Sequence, residues 1–332
     1  MLRYEYSVEV DKSALEGTGF CITFPIRVHR EDGLARAVSA QFLQDYSAAT
    51  EQKSLDLSLG ASCPLGHFAS LVIPECCPKR LPYAAKMFEY MHFEDDRLEA
   101  PKSATERQNV SEYIAFGMPS SFGQIWGKIW GSCSKYRRLQ ISLLVEGIWQ
   151  CGAGILSMVA HFRDVCGENA QDNKLTTFDE YLEHRVTVGG WIALLEFVRH
   201  VMGITLVARE KAAVRDVIHP LHIFMALSND YFSYKKEKFL HERQERPGIV
   251  YNAVAIVAEQ DSLTEEQALK LIRDKIIQAE LTHHEELESL KQNGPWSQDM
   301  VRYIEACRLA AGGLFLMTAT TPRMVVDAHD AR

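Results

Sequence analysis

At 332 residues, with 47% hydrophobic and 24% charged side chains, the chain has a globular composition and length enough for one large core or two small ones. The net charge of −8 argues against a nucleic-acid surface and against a polybasic membrane anchor. MLRYEYSVEV is no signal peptide, and no apolar run approaches the roughly 20 residues of a membrane span, so a cytoplasmic protein is expected.

RYEYSVEV (3–10) reads as a short strand, and clean β alternation is otherwise scarce. The eight cysteines form no CxxC pair, which suggests reduced thiols; Cys76 and Cys77 are read as packing residues. RLPYAAKMFEYMHFEDDRLE (80–99) carries apolar residues at 81, 84, 87, 88 and 91, a helical period. Leu139 to Phe162 is apolar almost all round, as a helix central to a bundle would be. Thr177 and Glu180 have capping-box spacing at the head of another helix. His219 and His222 flank Pro220 at an expected helix start. A long amphipathic helix is expected from Ser262 to just before Asn293-Gly294-Pro295, and another from Ser297, closed by Pro322. EAPKSATERQN (99–109) and CGENAQDNK (166–174) read as surface loops. No linker divides the chain, so residues 1–332 are read as one all-α domain, its first ~35 residues a flexible or capping segment.

NDYFSYKKE (229–237) places Asn229, Ser233 and Glu237 four residues apart on one helix face. Together they offer an amide oxygen, a hydroxyl and a carboxylate, the ligand class that Mg²⁺ prefers. A second oxygen-rich group, Asp95, Asp96 and Glu99, continues the apolar stripe of Phe88 and Met91. Buried carboxylates need a compensating cation. Two such clusters facing each other could hold several Mg²⁺ ions and, through them, a diphosphate. That arrangement demands inward cations as well. Lys236 lies seven residues after Asn229, about 20° away on its face. Arg185 lies on the apolar stripe of Phe178 and Leu182, and a buried arginine needs an anion. Gly189 and Gly190 suggest a helix break that exposes backbone groups to a ligand.

DDRLE (95–99), Arg185 of YLEHRVTVGG, NDYFSYKKE and Pro322-Arg323-Met324 together resemble a class I terpene cyclase of the fungal kind that makes di- and sesterterpenes. The likeness extends through IPECCPKRL (73–81) and spans nearly the whole chain. It implies a single-domain α-helical bundle with a central active-site cavity, three Mg²⁺ ions, and a prenyl diphosphate substrate. Asp95 becomes the principal ligand of the acidic motif, with Asp96 and Glu99 assisting. Asn229, Ser233 and Glu237 together hold one Mg²⁺. Arg185 becomes the diphosphate sensor, Gly189 or Gly190 the helix-break effector, and Lys236 and Arg323 direct diphosphate contacts. Met324 stands where the family has a tyrosine, and Met317-Thr318 where a Trp-Ser usually lies. Arg302 and Tyr303 offer a substitute pair but come roughly 20 residues too early, and are read as surface residues.

The implied reaction ionises the substrate and cyclises an allylic carbocation in a dry cavity. Aromatic faces attract cations without attacking them, and Phe68, Phe88, Tyr90, Phe93 and Trp191 are the candidates for that lining. Geranylgeranyl diphosphate and a polycyclic diterpene are the first expectation, with farnesyl or geranylfarnesyl diphosphate as alternatives. The Asn/Ser/Glu form of the second cluster favours cyclisation over chain elongation. The chain ends soon after Pro322-Arg323-Met324, so a fused prenyltransferase is not expected on it; a prenyltransferase elsewhere would supply substrate, and a homodimer is a further expected partner. A non-enzymatic helical scaffold is the competing reading, and it has no need of an inward Arg185. THHEE (282–286) is weak as a zinc site, because consecutive histidines on a helix point about 100° apart.

Overall fold

The computed structural model describes residues 4–50, 61–99, 135–152, 154, 177–244, 248–292, 294 and 296–324. Strand β1 (Ser7–Glu9) pairs antiparallel with β2 (Arg27–His29), Ser7 opposite His29. Helix α1 (Asp32–Thr50) follows, then a hairpin of β3 (Ser62–Cys63) and β4 (Gly66–His67) leading into α2 (Phe68–Val72). The remaining described helices are α3 (Leu81–Glu99), α4 (Lys135–Cys151), α5 (Phe178–Val188), α6 (Trp191–Val201), α7 (Ala208–Arg243), α8 (Ala253–Gln260), α9 (Glu265–Gln292) and α10 (Gln298–Thr320). A 3₁₀ turn, Pro322–Met324, closes the described chain.

Local chemistry sets the helix ends. Thr177 and Glu180 exchange side-chain and backbone bonds at the head of α5, as their spacing predicts. Ser297 Oγ accepts the Met300 amide at 3.1 Å to open α10. Helix α9 starts later than expected: Ser262 stands in the left-handed region (φ 53°), and Thr264 and Gln267 form the reciprocal cap at 2.9 and 3.3 Å. Ser262 has Glu265 three positions on and Thr264 has Gln267, and it is Thr264 that caps the helix.

Among the described residues, the helix that the bundle surrounds is α10. Every residue from Leu309 to Thr318 is buried, the behaviour of a helix apolar on all sides. Gly312 and Gly313 let it approach other backbone: an added Cβ would stand 2.4 Å from the Pro25 carbonyl oxygen and 2.1 Å from that of Leu71. Helix α4, by contrast, leaves Trp149 86% exposed and ends at Gly152, whose φ of 82° suits glycine alone. The remainder of that apolar run, like most of both expected loops, lies outside the described residues.

Helix α7 packs against α9 and α10. Pro220 does not begin it but lies twelve residues inside. The proline withholds the donor that the Asp216 carbonyl would receive. One residue on, the Val217 carbonyl takes a bond from His283 Nδ1 at 2.8 Å, so this stretch is held from α9. His284 Nε2 bonds Thr23 Oγ1 at 2.8 Å, and Glu280 accepts the amides of Thr23 and Phe24. The polar THHEE face therefore fastens α9 to α7 and to the N-terminal segment. That segment buries Phe20, Ile22, Phe24 and Ile26, so it caps the bundle. Cys76 is buried as a packing residue should be, whereas Cys77 is exposed.

Candidate active site

Helix α5 buries Phe178, Tyr181 and Val186, and this phase turns Arg185 into the bundle with only 17% of its side chain exposed. There it meets α7. Arg185 Nε donates to Asp230 Oδ1 at 2.9 Å, and its terminal nitrogen donates to Asn229 Oδ1 at 3.0 Å. Asp230 is fully buried, and a buried carboxylate must be paired and hydrogen-bonded. Three donors meet that need: Arg185, the Tyr181 hydroxyl, and the Ala253 amide at 3.2 Å. Burial opposes the Arg185 charge, but the Asp230 carboxylate more than offsets it and holds the guanidinium protonated.

Asn252 joins this pair to the next turn of α7. Its Nδ2 donates to the Asp230 carbonyl and to Glu237 Oε2, both at 2.9 Å, while its Oδ1 accepts the Val254 amide and caps α8. Asn229, Ser233 and Glu237 thus lie along one edge of a buried network whose far side is Asp230 and Arg185. Burial, then the nearby Asp230 charge, pushes the Glu237 carboxyl up to about 7, against the opposing pull of Arg185. An all-oxygen donor set with a carboxylate short of positive charge fits a hard divalent cation such as Mg²⁺.

The glycine pair breaks the helix as expected. Helix α5 stops at Gly189, Gly190 takes a left-handed φ of 75°, and α6 begins at Trp191. A Cβ on Gly189 would stand 2.2 Å from Trp191 Nε1 and 2.6 Å from the Arg185 carbonyl oxygen. The indole ring lies 5.7 Å from the Arg185 guanidinium. Its buried Nε1 has no hydrogen-bond partner among the described residues, a donor beside the arginine.

Other sequence-derived candidates fall as follows. Lys236 is half-buried on α7. Asp95, Asp96 and Glu99 lie in the last turns of α3, and their side chains fall outside the described residues. Phe68 packs edge-on against Phe88, 4.7 Å between centroids, and Phe88 packs likewise on Phe197 at 5.1 Å. Phe93 stacks on Tyr46 at 5.0 Å, and the Tyr90 hydroxyl accepts from Gln140 at 2.7 Å. Arg323 is half-buried in the closing turn, which packs on α7. Arg302 donates to Asp299 and to the Met202 carbonyl, capping the end of α6. Tyr303 is buried in the core rather than on the surface. The Met317-Thr318 position is interior, Thr318 bonding the Leu314 carbonyl at 3.1 Å.

Sequence reasoning missed Asp230, Tyr181 and Asn252. Asp230 had a signal: a carboxylate flanked by the apolar run of α7, 100° from Asn229 and on the buried side. Tyr181 and Asn252 had none beyond ordinary core and cap chemistry.

The sequence pattern of Terpene synthase family 2, C-terminal metal binding, matches residues 155–281. A sesterterpene synthase of Colletotrichum orbiculare is 28% identical over 96% of this chain and 46% of its own length. The chain thus spans about half the length of the fungal relatives it matches. Aristolochene synthase of Penicillium roqueforti superposes with a TM-score of 0.67 at 18% identity, over 89% of this chain and 96% of that one. The 2-methylisoborneol synthase of Streptomyces coelicolor, solved with Mg²⁺ and geranyl-S-thiolodiphosphate, gives 0.68 at 16% identity over 98% of each chain. The chain therefore has the class I terpene synthase fold, and its sequence relatives are the fungal sesterterpene and diterpene synthases.

Proposed function

We propose that this chain is a Mg²⁺-dependent terpene cyclase that ionises a linear prenyl diphosphate and closes the resulting carbocation into a polycyclic hydrocarbon. The observation that carries this reading is the convergence of Arg185 from α5 with Asn229 and Glu237 from α7 on the buried Asp230–Asn252 network. A scaffold has no use for a guanidinium held in that position at the cost of its hydration.

In this reading Asn229, Ser233 and Glu237 hold one Mg²⁺, and Asp95, with Asp96 and Glu99, holds the others. Bound Mg²⁺ neutralises the charge that develops on the departing diphosphate. Arg185 is the principal guanidinium donor to that group: Asp230 and Asn229 fix its Nε and one terminal nitrogen, and the other terminal nitrogen is the donor proposed for the phosphate oxygens. Lys236 and Arg323 add positive charge, and the Gly189–Gly190 break presents backbone beside them. The Trp191 ring, already beside a cation, and the Phe68 face are aromatic walls for the carbocation.

Geranylgeranyl diphosphate, giving a diterpene, is the substrate proposed first. The Colletotrichum relative favours a second reading, geranylfarnesyl diphosphate and a sesterterpene. A prenyltransferase, on the same longer protein or a separate one, would supply either. Incubation with Mg²⁺ and farnesyl, geranylgeranyl or geranylfarnesyl diphosphate, followed by mass spectrometry of the organic extract, tests the proposal. Diphosphate release with a cyclic hydrocarbon supports it; inertness towards all three substrates overturns it.

A further inference from the structure

Asn252 supplies more than a helix cap requires. Its Oδ1 accepts the Val254 amide at 2.9 Å and opens α8, a task that a serine, threonine or aspartate performs as well. At α5, α9 and α10 that task falls to the hydroxyls of Thr177, Thr264 and Ser297. What an asparagine adds is an NH₂ donor on the same planar group. Here that donor is fully engaged: Nδ2 bonds the Asp230 carbonyl and Glu237 Oε2, each at 2.9 Å, and the residue has no exposure to solvent.

These bonds fix α8 at the height of the oxygen cluster. The Ala253 amide donates to Asp230 Oδ2 at 3.2 Å, so α8 docks on α7 through both the backbone and the side chain of Asp230. Glu237 is then held from the same point. A glutamate side chain has several rotatable bonds, and left alone its carboxylate would sample many positions. Asn252 restrains one of its oxygens from outside α7, as Arg185 restrains the Asn229 amide from α5. Each end of the Asn229–Ser233–Glu237 row thus has a partner on another element.

We propose that Asn252 is a positioning residue that sets the Glu237 carboxylate for Mg²⁺, an inference that rests on the cyclase reading above. Asn252 touches neither the ion nor the substrate; it acts through Glu237. Partners behind a metal ligand orient it and raise the affinity of the site. The order that binding demands of the glutamate is then present before the ion arrives, so less entropy is lost on binding. Capping and positioning use different atoms of Asn252, Oδ1 for the first and Nδ2 for the second, and substitution can separate them.

The test is thermal unfolding with Mg²⁺ titrated in the presence of inorganic diphosphate, which gives for each protein the Mg²⁺ concentration of half-maximal stabilisation. Asn252→Ser keeps an oxygen for the cap and loses the donor to Glu237, whereas Asn252→Ala loses both. Both are expected to need about tenfold more Mg²⁺ than wild type, with the alanine protein melting lower because its cap is gone. Ser297→Ala, which removes the cap of α10 alone, should also melt lower than wild type but keep the wild-type Mg²⁺ midpoint. If the alanine protein fails to fold, the serine protein decides; failure of both assigns Asn252 to the fold and overturns the inference. A folded Asn252→Ser protein with the wild-type midpoint overturns it alone, as does a Ser297→Ala midpoint that rises equally, since the effect would then follow global stability. A wild type that Mg²⁺ and diphosphate do not stabilise overturns the metal-site reading and this inference with it.

Discussion

Arg185 and Asp230 lie 2.9 Å apart across the contact between α5 and α7, and the carboxylate of that pair has no exposure to solvent. The guanidinium is therefore oriented before any ligand arrives. Removing one partner of a buried pair strands the other charge, at a cost of about 3–5 kcal/mol. Asp230→Asn should lower stability by that order in urea denaturation and depress turnover as well. A loss below about 1 kcal/mol, the worth of an exposed pair, would show that the site tolerates a free guanidinium.

Asn229 accepts from Arg185 and keeps a second lone pair for a metal. Asn229→Leu is expected to reduce diphosphate release by at least about 10²-fold while the helical circular dichroism stays intact. Loss of helicity together with activity would place Asn229 in the fold rather than the chemistry.

Gly189 has no room for a side chain. An added Cβ would approach Trp191 Nε1 to 2.2 Å and the Arg185 carbonyl to 2.6 Å, and the second of these is backbone. Gly189→Ala should cost about 1–3 kcal/mol through overpacking. Because the displaced atoms belong to Arg185 and Trp191, its turnover should fall more steeply than its melting temperature suggests. Equal stability and activity to wild type would mean that the break is not a fixed element of the site.

His283 gives a pH dependence with a definite sign. The ring is fully buried, bonded to the Val217 carbonyl, and burial pushes its pKa from 6.5 down to about 4. Between those values the unfolded chain binds a proton that the native chain does not, so stability falls as pH drops from 6.5 to 4 and is fully present above 6.5. The contribution reaches about 3 kcal/mol across that window. His283→Phe should flatten the acid limb of a stability-versus-pH curve in this window; an unchanged slope would contradict the burial argument.

Much of the fold is legible in the sequence because its signals are local. Thr177 with Glu180, Ser297, and the Gly189–Gly190 break act within a few residues of themselves, and each appears where its spacing puts it. The errors arise where distant segments decide. Pro220 reads as a helix start, yet the contacts of α7 with α9 and α10 carry the helix through it, and His283 of α9 bonds the neighbouring Val217 carbonyl. The apolar stretch from Leu139 to Cys151 and α10 both look interior, and the exposed Trp149 distinguishes them only once the bundle is assembled. In the candidate site, the i, i+4 spacing exposes Asn229, Ser233 and Glu237, whereas Asp230 acquires its role from Arg185, Tyr181 and Ala253, which lie outside α7.

Diffraction from crystals grown with Mn²⁺ and inorganic diphosphate, recorded for the manganese anomalous signal, addresses the whole proposal at once. The expected map has a metal peak bounded by Asn229, Ser233 and Glu237, and a diphosphate in contact with Arg185. A map with no peak at those side chains, or with the diphosphate bound away from Arg185, would contradict the assignment of this network as the ionisation site.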